Sequence, residues 1–391
     1  MIEKIRKHLD SYDFDIRKTG NARFMDQKVT PDVLSFIADC VLVFTLGEAS
    51  SEFTIKDIWN SQYFMKLVQQ VFSKPVPKDE TAVHEYDKFI GQPIKALEYA
   101  KILSVDNSGR SAKFIIHNKE VLQYIASNSR NAFNFLSLYL EKVMRDSEFY
   151  ADIAHYEDLY RKGALGPSEF LEFKNKFQKL IIGNTKINGT TEVNRIFPKI
   201  INILAVDKCM PGTEAGRMSK HPFYYQDLMY NRINFRDKDK EKSVTRASAA
   251  EEAPAESSGA YADQRLKNQV NDMHATSEVP DSLGKGPADH IHHIFPRNEF
   301  PELRPYPENL IKLTASQHLS KAHPGGDTHV VDREYQKICL ISKSISIENS
   351  LKRHQYFYRK ESLVNVVNVG YSWSLPFLIS FDSLRQQISK K

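Results

Sequence analysis

Residues 289–296 read DHIHHIFP. Three histidines and an aspartate fall within five positions, in a chain that has only 13 histidines among 391 residues. Imidazole binds divalent metal ions and exchanges protons near neutral pH, so the cluster is a candidate site for chemistry. Two registers are open: Asp289 with His290 as a ligand-plus-base pair, or His292 with His293.

The flanking pattern is regular. DHIHHIF can form a short strand, and a proline-rich loop, Pro296–Pro307, follows. Asn309–Leu313 alternates as a second strand. Thr314 and Gln317 then form a capping box that starts a helix with His318 in its first turn. Strand, loop, strand and helix carrying His, Asn and His in that order resemble the HNH (ββα-metal, His-Me finger) nucleases over about residues 287–326. The pattern HHIFP…ENLIKLT…QH carries the resemblance.

That family places a ligand, then a base histidine, an apolar residue, any residue and a proline. His292 to Pro296 matches this spacing, whereas Asp289 to His293 has no proline in place. The resemblance therefore implies His292 and His318 as ligands of one divalent ion (Mg2+, Mn2+ or Zn2+) and His293 as general base. It also implies that Asn309 holds the loop and orients the His293 ring. Asp289 and His290 are left with outer or strand roles. His323 is a further candidate ligand. It sits five residues after His318, about 140° round an α-helix, and it chelates only if the helix ends first at Pro324-Gly325-Gly326. The competing reading is a structural histidine-rich zinc site or a dead nuclease.

The bulk numbers bound the rest. The chain is long enough for two or three domains, and 41% hydrophobic with 26% charged residues is an ordinary composition for a water-soluble chain. The longest apolar run, Val33–Leu46, contains Asp39 and is too short to span a bilayer. The opening MIEKIRKHLD mixes acids and bases and argues against a signal peptide. Cys40, Cys209 and Cys339 lie far apart, which fits a reducing cytoplasm. A net charge of +5 permits a nucleic-acid partner without requiring one.

Along the chain, an α+β organisation is expected, with mostly helical N-terminal and middle regions. In residues 1–130, Pro31 opens one helix behind Thr30, and Thr54 with Asp57 caps another. A third helical stretch, interrupted at Gly91-Gln92-Pro93, leads into a turn-rich pair of strands around Asn107-Ser108-Gly109. This order suggests a winged-helix-like DNA-binding domain, with Pro93–Lys101 as the reading helix and Arg110 and Lys113 on the wing. Residues 131–246 read as helices followed by a basic and aromatic recognition region. There Arg195, Arg217, Lys220, Tyr230, Asn231, Arg232, Asn234 and Arg236 are candidate DNA contacts, since Arg and Lys suit phosphates and guanine, and Asn suits adenine. Residues 247–286 are small, acidic and polar, and read as a flexible linker. Residues 287–391 form the expected nuclease domain with a C-terminal helical cap.

A long recognition region ahead of a tethered cutter resembles Type II restriction endonucleases of the HNH kind. The stretches NARFMDQKVTPDVLSFIADC (21–40), EVNRIFPKIINILA (192–205), DLMYNRINFRD (227–237) and DTHVVDREYQKICLISKSISIENS (327–350) are also similar to such enzymes. The resemblance implies cleavage of double-stranded DNA at a short site by a cytoplasmic homodimer. A modification-dependent HNH nuclease, or a non-catalytic DNA-binding protein with a vestigial HNH fold, are the alternatives.

Overall fold

Thr30 is extended and Pro31 supplies a preset φ at the first helical position, so a helix starts there and runs over Pro31–Phe44. Val33, Leu34, Phe36, Ile37, Ala38, Cys40 and Val41 are all buried, so this helix is covered on most sides rather than along one stripe. It packs against the helices Val83–Tyr99, Lys119–Ser127 and Ser129–Asp146. The computed structural model describes residues 1–72, 74, 83–230, 266–304, 306–322 and 331–391. Within them the chain is α+β and mostly helical, with three two-stranded antiparallel sheets. It divides into two compact units, Met1–Ala255 and Glu256–Lys391.

In the first unit, Thr54 and Asp57 form the expected reciprocal cap, but the helix they open stops at Asn60 and a second covers Gln62–Phe72. The expected break at Gly91-Gln92-Pro93 does not occur, because the Val83–Tyr99 helix continues through Pro93. Gly91 lies where a Cβ would come 3.3 Å from Ile55, and Gln92 Oε1 accepts a hydrogen bond from the Lys28 N–H at 2.7 Å. Neighbouring contacts thus support the turn that the proline weakens. Strands β1 (Leu103–Asp106) and β2 (Lys113–Ile116) form the expected hairpin, and Phe53 bridges to Phe114 at its edge. β3 (Pro211–Glu214) pairs with β4 (Arg217–Pro222).

Residues 1–130 and 131–246, expected as separate regions, share one unit. Phe14 N–H donates to Asp146 Oδ2 at 2.8 Å, and Ile16 N–H donates to Ser147 Oγ at 3.0 Å. The Phe14 ring meets the Tyr139 ring edge-on with centres 5.5 Å apart. Those long-range contacts join the two stretches where composition alone suggests a boundary.

In the second unit, β5 (Ala288–His293) pairs antiparallel with β6 (Leu310–Thr314), placing His292 opposite Ile311 and His293 opposite Leu310. Ile294, Phe295, Leu310, Ile311 and Leu313 enter a core completed by the helices Arg333–Lys352, Lys360–Tyr371 and Phe381–Ser389. Phe295 fits so closely against Gly370 that a Cβ there would come 2.2 Å from its ring. Residues 333–391 cap this core.

The reading of 247–286 as a linker is corrected for its second half; residues 247–265 lie outside the described residues. Residues 266–273 are helical, and Val270 and Val279 are core residues. Glu278 N–H donates to the Lys312 carbonyl at 2.9 Å, and Lys312 N–H donates back to Glu278 Oε1 at 2.9 Å. The Glu278 carboxylate also meets Lys343 Nζ at 3.1 Å, with the two side chains only 1% and 0% exposed. Burial pushes the Lys343 ammonium below its usual pKa, and Glu278 opposes that shift. Polar composition marked this stretch as solvated, yet its polar groups are consumed inside the unit.

Removing one member of a buried pair strands the other charge, so Lys343→Ala or Glu278→Ala is expected to cost about 3–5 kcal/mol. Denaturant unfolding measures this. A double Glu278→Leu/Lys343→Met variant should lose clearly less than either single change, and an equal loss would show that the pair itself supplies the stability.

Candidate active site

The site is built on β5, β6 and the turn that follows. Thr314 N–H donates to Gln317 Oε1 at 3.0 Å and Gln317 N–H donates to Thr314 Oγ1 at 3.2 Å, forming the expected capping box. Gln317 Nε2 also donates to Val279 C=O and to Asp281 Oδ1, each at 2.8 Å. The start of the helix is therefore fixed from two sides. After the α-helical residues Ala315–Gln317, the chain widens into a π-turn over His318–Ala322.

Side chains alternate along a strand, so His290 and His292 share one face of β5, and His293 faces the other way. His292 is 6% exposed, and its ring stands edge-on to His318 with centres 5.3 Å apart and planes at 73°. Two imidazoles bound tetrahedrally to one ion at metal–nitrogen distances of about 2.1 Å have ring centres about 5 Å apart. The donor chemistry and spacing of this pair fit a shared divalent ion. His290 joins them: its ring stacks on His318 with centres 4.9 Å apart and planes at 26°. Among the described residues, no group of three or more His, Cys, Asp or Glu is already arranged to hold a metal ion. His323 lies outside the described residues.

His293 sits apart from this trio. Desolvation pulls its pKa down from the ordinary value to about 4, and the charges of Lys267, Arg297 and Arg304 push the same way. The uncharged ring is thus favoured, which leaves its lone pair free but makes it a weaker proton acceptor than an ordinary imidazole. These three cations escaped sequence reasoning. Lys267 belongs to the stretch read as linker, and Arg297 and Arg304 lie in the loop beyond β5, read only for its prolines. The Arg297 right after HHIFP was the available signal.

Asn309 is fully buried. Its Nδ2 donates to Phe295 C=O at 3.0 Å, and its Oδ1 accepts from Phe295 N–H at 2.9 Å. Its own carbonyl accepts from Ile294 N–H at 2.8 Å. The amide thus holds the loop, as expected. Both of these side-chain bonds run to backbone beyond His293 rather than to its ring, so Asn309 positions His293 through the chain.

Among the expected DNA contacts, Arg110, Arg195, Arg217 and Lys220 are exposed on the first unit. Lys113 is exposed too, and pairs with Glu52 at 2.7 Å. Tyr230 is placed differently from expectation. Its N–H donates to the Asp32 carboxylate at 3.0 Å, and its ring packs edge-on against Phe72 and Phe89. Lys28 lies over its face at 5.0 Å. The ring is drawn inward by aromatic packing, which basic and aromatic interleaving in a sequence does not reveal. Asn231, Arg232, Asn234 and Arg236 lie outside the described residues. Comparison with protein-family models, with curated proteins and with solved structures finds no match for this chain.

Asn309→Ala removes both bonds to Phe295 and leaves a buried N–H and C=O unpaired, an expected loss of about 2–4 kcal/mol in thermal or denaturant unfolding. Asn309→Asp keeps the acceptor but sets a carboxylate oxygen against the Phe295 carbonyl. It should be no better than Ala if the amide is oriented as described.

Proposed function

We propose that this protein is a divalent-metal-dependent HNH (ββα-metal) deoxyribonuclease that cuts double-stranded DNA at a specific short sequence, in the manner of a Type II restriction endonuclease. The observation that carries the reading is the separation of roles across one strand. His292 and His318 converge on one face of β5, and a desolvated, neutral His293 faces the other way beside three cations.

Phosphodiester hydrolysis needs an activated water, neutralised phosphoryl charge and help for the departing 3′ oxygen. His293 takes the proton from the water, a task its neutral ring can perform. Lys267, Arg297 and Arg304, whose charges act on His293, would add positive charge for a phosphate bound there. His292 and His318 hold the ion. When bound, that ion supplies charge stabilisation to the scissile phosphate and the leaving oxygen. Asn309 fixes the backbone that follows the base, so His293 need not be ordered at the moment of reaction.

In this reading the first unit recognises DNA. The hairpin β1–β2 after the Val83–Tyr99 helix serves as a winged-helix-like module, with Arg110 and Lys113 on its wing. Pro93, Ile94, Ala96 and Leu97 are buried, so Lys95, Glu98, Tyr99 and Lys101 are what the expected reading helix offers outward. Arg195, Arg217 and Lys220 add exposed positive charge. A homodimer would match a palindromic site, since two-fold protein symmetry mirrors two-fold DNA symmetry. Among the described residues no helix is long and apolar enough to cross a membrane, and cytoplasmic action on DNA is the corresponding proposal.

Incubation with unmethylated phage DNA and Mg2+ or Mn2+ should give discrete fragments. His293→Ala should cut at least about 100-fold more slowly while binding DNA with unchanged affinity. A smear abolished by the mutation would remove the site-specific reading and keep the nuclease. Cutting of methylated DNA alone would favour the modification-dependent alternative. The first unit's cleft of about 660 Å³, lined in part by Phe14, Asn21, Tyr99 and Tyr139, is then where a displaced base would be sought. Absence of any cutting would favour the non-catalytic DNA-binding alternative.

The cations beside His293 give a separate expectation. Arg297→Ala or Arg304→Ala should weaken DNA binding equally across sequences and reduce the slope of log affinity against log salt by about one. An unchanged salt slope would place both side chains away from phosphate.

A further inference from the structure

We propose that His290 is a protein ligand of the divalent ion, together with His292 and His318, and that Asp289 is the carboxylate that orients it. The inference rests on the metal-site reading above and assigns it a ligand that the motif alone leaves out.

Three observations carry it. His290 shares a strand face with His292, and both rings meet His318, at 4.9 and 5.3 Å between centres. An edge-strand histidine with only a solvent role has no reason to stack on His318, an imidazole that itself meets His292. The pairing of β5 with β6 shifts register between Ala288 and His290, so Asp289 sits on a bulge. A bulge re-aims a side chain that strict alternation would send to the opposite face. Here Asp289 Oδ1 comes to 3.6 Å from His290 Nε2. That is beyond hydrogen-bond length, so the contact closes only as the ring turns; ligating histidines commonly give their second ring nitrogen to a carboxylate, which would leave His290 Nδ1 for the ion.

The three rings are not closed on one point as they stand, and the side chain free to close them is His290. It is 37% exposed on its side chain, so its ring can turn without disturbing the core. His292, nearly buried, supplies the fixed direction. The result is a facial three-imidazole set. Such a set favours Zn2+, Co2+ or Mn2+ over Mg2+, which prefers oxygen ligands and bound water. It also explains why DHIHH holds more ligand-type residues than one ligand-plus-base pair requires.

The test is metal binding by the full-length protein, stripped with chelator and titrated with Zn2+ against a chromophoric competitor. Co2+ absorption serves as a second reading of ligand number. The variants are His290→Gln, His290→Ala, Asp289→Asn and His292→Ala, each with a melting temperature in the metal-free state to show that it folds. Wild type should bind one equivalent per chain. Both His290 variants should lose at least about 100-fold in Zn2+ affinity and change the Co2+ spectrum, and Asp289→Asn should lose about 10-fold. Wild-type affinity and spectrum in both His290 variants, with loss in His292→Ala, would overturn the proposal and leave the nuclease reading intact. Loss in the His290 variants of a protein that cuts no DNA would uphold the ligand set and sink the nuclease. A wild type that binds no Zn2+ or Co2+ would overturn the proposal outright.

Discussion

Asn309 is tied to Phe295 in both directions, as donor and as acceptor, and the geometry of the second unit follows from that pair of bonds. They join the end of β5 to the start of β6 across the whole proline-rich loop, so the loop can vary without moving its ends. They set the register in which His292 faces Ile311 and His293 faces Leu310. A slip of one residue would send every histidine to the opposite face. The same bonds set the direction of Phe295, whose ring fills the space that Gly370 leaves open. Gln336 donates to Ile294 C=O at 2.6 Å, so the long C-terminal helix holds the same backbone from its other side.

A second constraint is the buried polar network under β6. Glu278, Lys343, Tyr358 and His274 form a connected set in which Lys343 Nζ reaches both the Glu278 carboxylate and the Tyr358 hydroxyl. Charges buried this deeply add little net stability compared with apolar packing, but they tolerate very few alternative arrangements. Their effect here is to fix the stretch ahead of β5 as part of the scaffold. That stretch delivers Lys267 to the vicinity of His293.

These two constraints explain what was legible in the sequence. The capping box at Thr314, the hairpin around Asn107-Ser108-Gly109 and the Pro31 helix start are set by local chemistry, and each is found where the residues indicate. The readings that failed depended on distant partners. Pro93 passes through a helix because neighbouring elements support the turn, and residues 266–286 look solvated because their partners, Lys312 and Lys343, lie tens of residues away. Tyr230 reads as a surface aromatic because Phe72 and Phe89, which enclose it, are remote in sequence. The register shift between Ala288 and His290 is likewise visible only from the paired strand.

If His292 is a ligand and His293 a base, as proposed, the division of labour on β5 follows from its pleat. A metal ligand and a general base have opposed needs: a ligand must give its lone pair to a cation, while a base must keep its lone pair for a proton. Adjacent residues on a strand point to opposite faces, so a histidine pair separates the two tasks within one dipeptide. His292 turns toward His318, and His293, on the other face, is desolvated. The HH dipeptide is therefore the smallest sequence unit that can present both functions, and the strand's alternation is what keeps them from cancelling.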